Sequence, residues 1–401
     1  MISLDEFRDA AWMKLPNSPP LLPLDRHTMR YSTALMARAK AVLLKFAPAA
    51  IFVASILYFL TSTYPSTRTF SCPSSAVGEP VDPIPNRVHF VHIMPDGPDS
   101  DIKFKFKHFV AIYSASLYFG PDLIYIHTDA SYASVERAQN GPVDAAPNKW
   151  AHKILNLPTV VVRRVNPPDV ATGTGVAINL LEHKSDFVRA KAVYEHGGIY
   201  LDWDAHALRD VKPLRESGFA NVVGRQKGGQ VNSGVWMSRR GTLLMKLWVE
   251  RQHEVYSGAW TAHSNDLLTS LSEKNGDSSL LTVLAERLMP TSKEVLILEQ
   301  VAFAPMSWQL KDASKLFMPH LNDDMGQMKR DEKKKPDWEV DYSTTYILHA
   351  FKPDKNEHIE NFDRDNGITV KYVLSQLSNF AVAVYPAVKH AIDAGVISAD
   401  D

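Results

Sequence analysis

The stretch that decides the fold is SDFVRAKAVYEHGGIYLDWDAH, residues 185–206. In its first half, apolar residues recur at helical spacing, and Ser185 is a candidate N-cap for that helix. Gly197 is expected to end the helix. The apolar run that follows predicts a buried strand whose end is marked by Asp202 and Asp204. A helix that stops on glycine directly before a buried strand is typical of an α/β protein.

The flanking sequence continues this alternation of strands and helices. Apolar, β-branched runs predict strands over residues 86–93, 121–130, 159–165, 199–203 and 231–238, and a helix over 106–120 ended by Gly120. Such spacing predicts a mostly parallel central sheet with flanking helices. In these sheets ligands bind at the carboxyl ends of the strands, so polar residues at those ends are the candidates for a site.

An apolar segment near the N-terminus predicts a membrane anchor. Residues 46–64 contain no charge, and as a helix they would span nearly 30 Å, about the hydrocarbon core of a bilayer. A cleaved signal peptide would need a shorter region before the apolar run, and a buried core helix is the remaining alternative. Five bases and no acid lie between residues 26 and 45, so the positive-inside rule places the N-terminus in the cytosol.

The domain prediction follows from these segments. Residues 1–40 are expected to be a cytosolic tail, 41–64 a transmembrane anchor, 65–85 a proline-rich stem, and 86–401 one α/β domain. Within that domain, residues 321–341 carry a run of lysines, for which a solvated loop and a contact with acidic lipid or phosphate are the two interpretations. The C-terminal apolar stretch is interrupted by Pro386, Lys389 and Asp393, which predicts a packed or interfacial helix rather than a second span.

Charge and cysteine content exclude several classes of protein. Lys plus Arg number 44 against 45 Asp plus Glu, a net charge of −1, which argues against a general nucleic-acid-binding protein. The single cysteine, Cys72, excludes an intramolecular disulfide and a cysteine-based zinc cluster. Cys72 lies in the predicted stem, where an unbridged thiol and an intermolecular disulfide in a homodimer are both open.

The two acids after the central strand form a candidate cation site. Asp202 and Asp204 are two residues apart, so in an extended chain both carboxylates would point to one spot. Carboxylates held close together repel each other, and a hard divalent cation such as Mg²⁺, Mn²⁺ or Ca²⁺ relieves the repulsion. Asp186 and Arg189 lie three apart on the preceding helix, where they would either pair with each other or reach a bound nucleotide.

These residues carry a resemblance to a known family. The run from Asp186-x-x-Arg189 through Gly-Gly-Ile-Tyr-Leu-Asp-Trp-Asp resembles the sugar-binding region of DXD-containing glycosyltransferases of family 32, typified by fungal initiating mannosyltransferases and α-1,4-glycosyltransferases. Four further segments, IPNRVHFVH, NSGVWMS, WTAHSNDLL and YILHAF, resemble family segments in the expected order. His92 stands where that family usually has tryptophan.

The resemblance implies a fold, an activity and a location. It implies a nucleotide-sugar-binding domain of the GT-A type, which transfers a sugar from a UDP- or GDP-sugar to a glycan or glycolipid acceptor, with retention and with Mn²⁺ or Mg²⁺ as cofactor. Together with the predicted anchor, it implies a single-pass protein of the Golgi or ER membrane with a luminal catalytic domain.

The resemblance also implies roles for individual residues. Asp202 and Asp204 would be catalytic by holding the cation, and His349 would complete its coordination. The donor would be bound by Asp186, Arg189, Gly198, Tyr200 and His89, and the acceptor side would include Asn232, His263 and Asp266. For His349, Tyr200 and His89 a plain structural role is the alternative, and Gly198 could serve backbone geometry alone.

Two other functional classes remain as alternatives. A haloacid-dehalogenase-type phosphatase also places two aspartates after an apolar strand, but its motif is expected on the first strand and expects Thr or Val where His206 stands. A membrane-tethered binding protein with the same fold and without turnover is the second alternative.

Overall fold

The computed structural model describes residues 82–142, 148–273, 293–321, 335–351, 362 and 367–401. The predicted tail, the anchor, Cys72 and nearly all of the stem lie outside the described residues, as does most of the lysine-rich stretch. No helix within these described ranges has the length and apolar character needed to cross a bilayer. Residues 78–401 belong to one compact unit.

A seven-stranded sheet forms the centre of this unit, with the strand order β3-β2-β1-β4-β7-β6-β8. The strands are β1 Arg87–His92, β2 Leu123–Thr128, β3 Val160–Arg164, β4 Gly198–Leu201, β6 Phe219–Arg225, β7 Val231–Ser238 and β8 Lys293–Leu298. Strands β3, β2, β1 and β4 are parallel to one another, as are β6 and β8, whereas β7 runs antiparallel to both β4 and β6. The prediction of a mostly parallel sheet is confirmed.

A separate two-stranded ribbon lies beside the sheet. It pairs β5 Ala205–Ala207 with β9 Ile347–His349 in antiparallel register. Because β5 begins directly after Asp204, this ribbon brings a late part of the chain to the end of β4.

Helices cover both faces of the sheet. They are α1 Phe106–Phe119, α2 Tyr132–Asn140, α3 Asn148–Leu155, α4 Leu181–His196, α5 Lys212–Arg215, α6 Leu243–Val255, α7 Leu267–Ser272, α8 Gln300–Phe303, α9 Leu310–Phe317, α10 Val370–Ser375 and α11 Asn379–Asp393. A π-helical turn, Ala262–Asp266, precedes α7. Two large clusters of buried apolar side chains result, one that includes α1 and α11 and one that includes α4 and α6, and a third small cluster contains Ala171, Ile178, Phe187 and Tyr256.

The ends of the helices show which local predictions held. Gly120 follows α1 with φ +50°, and Gly197 follows α4 with φ +63°, so both glycines end helices as predicted. The predicted cap at Ser185 is wrong, because α4 begins at Leu181 and Ser185 lies inside it. The extra turn is stabilised by tertiary contact, since buried His183 hydrogen-bonds through Nδ1 to the Tyr256 hydroxyl at 3.0 Å.

The C-terminal stretch forms two packed helices, α10 and α11. Gln376, with φ +52°, follows α10, and Pro386 lies within α11. Helix α11 buries Val384 and Val388, and its His390 Nδ1 lies 2.9 Å from the Tyr113 hydroxyl of α1. A packed role for this stretch therefore agrees with the prediction.

Candidate active site

The two aspartates lie where β4 ends. Strand β4 is buried throughout, and the Asp202 N–H donates to Gly234 O of β7 at 2.8 Å, which extends the pairing by one residue. The chain then turns, since the Ala205 N–H donates back to Asp202 O at 3.0 Å. The carboxylates therefore converge as predicted, but through a turn rather than through the side-chain alternation of an extended strand.

His349 joins the aspartates from the late strand β9. Strand register sets Ala205 opposite His349, and the Ala350 N–H donates to Asp204 O at 2.8 Å. His349 Nε2 consequently lies 3.1 Å from Asp204 Oδ1 and 3.9 Å from Asp202 Oδ2. One ligand atom from each of these three residues lies within 4.8 Å of the others, which is the spacing needed to share a cation.

The charges of the three side chains depend on one another. Desolvation disfavours the ionised form of Asp204, but the charge and hydrogen bond of His349 outweigh it and lower the pKa of Asp204. Desolvation raises the pKa of Asp202 despite the nearby Arg189 guanidinium. Desolvation alone would lower the pKa of His349, yet the attraction of Asp204 raises it. The cluster therefore attracts positive charge, and a divalent cation would replace the proton on His349.

Gly234 leaves the space in which these side chains meet. A Cβ atom at this position would lie 2.5 Å from His349 Cε1, 2.6 Å from Asp202 Oδ2 and 2.9 Å from Asn232 Oδ1. All three distances are shorter than normal contact, so any larger residue here would displace at least one of these side chains. Gly234 was not among the predicted site residues, although a glycine inside a strand-forming run signals a close approach.

Arg189 connects α4 to the aspartates. Its Nη1 lies 3.2 Å from Asp202 Oδ1 and donates to Ser233 O at 3.0 Å, while Nη2 lies 3.0 Å from Asp186 Oδ1. Asp186 Oδ2 is in turn 2.9 Å from His263 Nε2. Asp186 and Arg189 thus pair with each other, and Arg189 also orients a predicted metal ligand.

Tyr200 is a second residue that positions Asp202. Its hydroxyl donates to Asp202 Oδ1 at 2.7 Å, and its ring is buried between the Arg189 guanidinium and Trp236. This explains why an aromatic residue with a hydroxyl group stands two residues before Asp202. Contact with a donor, which the resemblance implied, stays a prediction.

The residues predicted on the acceptor side surround the start of β7. Asn232 accepts from the Gly234 N–H at 2.7 Å and donates to Gln226 Oε1 at 2.5 Å. His263 reaches the site through Asp186. Asp266 is exposed and accepts from Thr261 Oγ1 at 2.7 Å. Asn232 and His263 are therefore in the network around the aspartates, and Asp266 lies at its border.

Gly198 and His89 lie away from the aspartates. Gly198 begins β4, four positions before Asp202 and about 13 Å from it along an extended chain, and His89 of β1 lies beside Gly198. Gly198 has φ +124°, and a Cβ there would lie 2.4 Å from Arg87 O, so it permits close packing of β4 on β1. His89 is fully buried, with Nε2 2.9 Å from Gly197 O and Nδ1 2.9 Å from His127 Nε2. The structure gives both residues packing roles and does not bring them to the aspartates.

Trp203 anchors the turn between the aspartates, a role the sequence analysis did not assign. Its Nε1 donates to Val91 O at 2.8 Å, and its ring packs on Phe90 and Phe104 at centroid distances of 4.6 and 4.8 Å. His92, the departure from the family pattern, packs on Phe104 at 4.6 Å. The side chain between the aspartates therefore ties them to β1.

Comparison with known proteins links the same region to sugar transfer. Residues 121–220, a quarter of the chain, match the family model described as a glycosyltransferase sugar-binding region containing a DXD motif. No curated protein matches the chain by sequence. Asp202 and Asp204 lie inside the matched region, and His349 lies outside it.

Solved glycosyltransferases are similar to the chain at low identity. PaToxG glycosyltransferase is 14% identical, with a TM-score of 0.36, over 52% of this chain and 76% of its own. GlyE of Streptococcus pneumoniae TIGR4 is 14% identical, with a TM-score of 0.33, over 79% of this chain and 65% of its own. The galactosyltransferase LgtC, solved with donor and acceptor sugar analogues, is 16% identical, with a TM-score of 0.34, over 76% of this chain and 95% of its own. By sequence, residues 121–220 are thus similar to the DXD-containing sugar-binding region of glycosyltransferases.

Proposed function

We propose that this chain is a metal-dependent glycosyltransferase that moves a sugar from a UDP- or GDP-sugar to a glycan or glycolipid acceptor. The observation that supports this most is the meeting of Asp202, Asp204 and His349 at one point, in a region that matches a DXD sugar-binding family. The narrower resemblance to family 32 is part of the proposal.

The side chains fit a divalent cation. Two carboxylate oxygens and one imidazole nitrogen suit Mn²⁺ better than Ca²⁺, which prefers oxygen ligands throughout. The Asp204 side chain is 38% exposed, which leaves sides of the cation open to donor phosphates. When bound, the cation would stabilise the charge that develops on the departing nucleoside diphosphate.

The residues around the cation would hold it without taking part in bond making. Arg189 and Tyr200 fix Asp202, and Trp203 fixes the turn that carries Asp204. Asp186 is already paired with Arg189 and His263, so it is a poor candidate for a carboxylate nucleophile. On the resemblance alone, we propose retention by front-face attack assisted by the leaving phosphate.

An uncharged rim beside the site supports an acceptor with an apolar part. The rim consists of residues 170–181 and 255–262, which contain no Lys, Arg, Asp or Glu. Leu180 is 46% and Trp260 62% exposed. Ring contacts from Trp260 through His183 to His263, at 5.4 and 4.6 Å, connect the rim to the site. Exposed apolar surface of this kind marks an interaction site, which favours a glycolipid over a soluble glycan.

The other functional classes receive less support. In a phosphatase of the haloacid-dehalogenase type the first aspartate must be free to attack phosphorus, whereas Asp202 is bonded to Tyr200 and Arg189. The aspartates also follow the fourth strand of the described chain rather than the first. A binding protein without turnover would have the same geometry, and only an activity assay distinguishes it from a glycosyltransferase.

The test is hydrolysis of UDP- and GDP-sugars by the purified full chain, with Mn²⁺ and with EDTA. We expect one donor to be hydrolysed with Mn²⁺, and we expect Asp204→Ala to abolish the reaction. Binding of a donor without hydrolysis would favour the binding protein, and no binding of any donor would refute the proposal. Release of phosphate from a phosphomonoester would favour the phosphatase.

The predicted location completes the proposal. We propose a single-pass protein of the Golgi or ER membrane, with residues 41–64 as anchor and the catalytic domain in the lumen. Protease protection of the domain in intact microsomes, and its loss on addition of detergent, would support this topology. Digestion of the domain in intact microsomes would contradict it.

A further inference from the structure

A second cavity, of about 660 Å³, lies between the edge of the sheet and helices α4 and α6. The ends of β2 and β3 form one wall, and the two helices form the others. None of Asp202, Asp204 and His349 lines this cavity. Its volume is in the range of sites for small organic ligands. The cavity is thus separate from the candidate active site and large enough for a ligand of its own.

Cations without a carboxylate partner border the cavity. Arg163 and Arg164 end β3, and neither forms an ion pair with a carboxylate in the part of the chain that the structure describes. Each guanidinium instead lies over an aromatic ring, with Arg163 Cζ 5.1 Å from the ring centre of Tyr125 and Arg164 Cζ 5.5 Å from that of Tyr132, and both arginines are exposed. A cation–π contact of this kind occupies no carboxylate, so the guanidinium N–H groups remain available for an oxyanion.

The rest of the lining keeps the charge balance positive. Lys191 contributes a third cation, and Glu195, with which it forms an ion pair, is the one carboxylate among the lining residues. Burial is the main cause that lowers the pKa of His127, which lines the cavity, and the nearby His89, His196 and Arg163 lower it further. The same guanidinium also contributes to the lowered pKa of His196.

The helical walls of the cavity include an apolar patch. Phe187 and Val188 of α4 and Val249 of α6 form this patch, and polar side chains of the same helices line the rest, namely Lys191, Glu195, His196, Gln252 and His253. Gln252 Nε2 also donates to Asp186 O at 3.2 Å. A ligand matched to this cavity would therefore place an anionic group at β3 and an apolar body against the helices.

We propose that this cavity binds an organic oxyanion, a small molecule with a phosphate or carboxylate group on an apolar body. Arginine pairs well with both groups because its donors match their geometry. The proposal concerns a site apart from the predicted cation, so it stands whether or not the chain transfers sugars.

The test uses the purified full chain in EDTA, so that no cation supports binding at the aspartates. The probes are phenyl phosphate, benzoate, inorganic phosphate and, as a neutral control, benzyl alcohol. Binding of each probe is measured by calorimetry and by the shift in the melting temperature of the chain. We expect phenyl phosphate or benzoate to bind more tightly than inorganic phosphate, and benzyl alcohol not to bind. The stronger of the two aromatic anions identifies the preferred anionic group.

Variants assign the binding to this cavity. We expect Arg163→Gln/Arg164→Gln to weaken binding at least tenfold, about the effect of one charged hydrogen bond. Lys191→Gln is a milder variant should the double variant fold poorly, and we expect it to weaken binding too. Lys246→Gln is the matched control, because Lys246 also faces a glutamate four residues on but lies outside the cavity. Asp204→Asn should bind the probes as the unaltered chain does.

Three results would overturn the proposal. The first is that neither aromatic anion binds. The second is an equal loss of affinity for the anion in Lys191→Gln and Lys246→Gln, and the third is loss of binding in Asp204→Asn, which would show that the anion binds at the aspartates instead.

Discussion

Gly234→Ala tests whether close packing of β7 keeps the cation ligands in place. The added methyl group would lie 2.5 Å from His349 Cε1 and 2.6 Å from Asp202 Oδ2, about 1 Å inside normal contact. Relief of this overlap must move at least one predicted ligand. A displacement of this size in a metal site is expected to weaken binding about 10- to 100-fold.

Gly224→Ala is the matched control for this experiment. Gly224 lies in the neighbouring strand β6, and a methyl group there would meet Phe303 Cδ2 at 2.6 Å, away from the aspartates. Overpacking should cost each variant about 1–3 kcal/mol of unfolding free energy. We therefore expect similar losses of stability in urea unfolding, but weaker Mn²⁺ binding by titration calorimetry only in Gly234→Ala. Equal Mn²⁺ affinities in both variants would show that Gly234 does not keep the cation ligands in place.

Three further predictions follow from the same contacts. Tyr200→Phe removes the 2.7 Å hydrogen bond to Asp202, so the affinity for Mn²⁺ in calorimetry should fall about tenfold. The control Tyr113→Phe removes a hydroxyl that contacts His390 instead and should leave the affinity unchanged, and equal affinities in both variants would contradict the role of Tyr200. Arg189→Met leaves Asp186 and Asp202 without their partner and should lower the free energy of unfolding in urea by about 3–5 kcal/mol. The control Arg137→Met, which breaks an exposed ion pair, should lower it by less than about 1 kcal/mol, and similar losses in both variants would be inconsistent with a buried network. Burial lowers the pKa of His89 to about 4, whereas a histidine in the unfolded chain has a pKa of about 6.5. Below pH of about 6.5 the unfolded chain is therefore protonated first, and His89 alone should lower the free energy of unfolding by about 2 kcal/mol at pH 5. An equally steep loss of stability with falling pH in His89→Gln would count against this origin.

Much of the fold could be predicted because local sequence determines it. Buried strands such as β1, β2 and β4 are short apolar runs between turn residues, and Gly120 and Gly197 end helices because they adopt positive φ. The Ser185 cap failed because a tertiary contact of His183 extends α4 by a turn, which no local signal shows. Strands β6 and β8 were not predicted, although both are apolar runs that pair within the sheet.

The site was only partly predictable, for a similar reason. Asp202 and Asp204 are separated by one residue, and the candidate cation site was predicted from this spacing and from the buried strand before it. His349 was assigned through a family resemblance, because its position depends on pairing of β9 with β5, which is distant in sequence. Gly234 and Trp203 act through contacts with residues distant in sequence. A glycine within a strand signals a close approach, but a single sequence does not show which residues make it. The contact of Tyr200 with Asp202, by contrast, is local and follows from their spacing of two residues.

Electron paramagnetic resonance of Mn²⁺ added to the full chain tests the central claim most directly, namely that Asp202, Asp204 and His349 hold one cation. The method detects a nitrogen atom coordinated to manganese through its nuclear modulation of the signal. We predict bound Mn²⁺ with modulation from one imidazole nitrogen in the unaltered chain, and loss of that modulation in His349→Ala. Bound Mn²⁺ without nitrogen modulation, or no bound Mn²⁺ at all, would contradict the account.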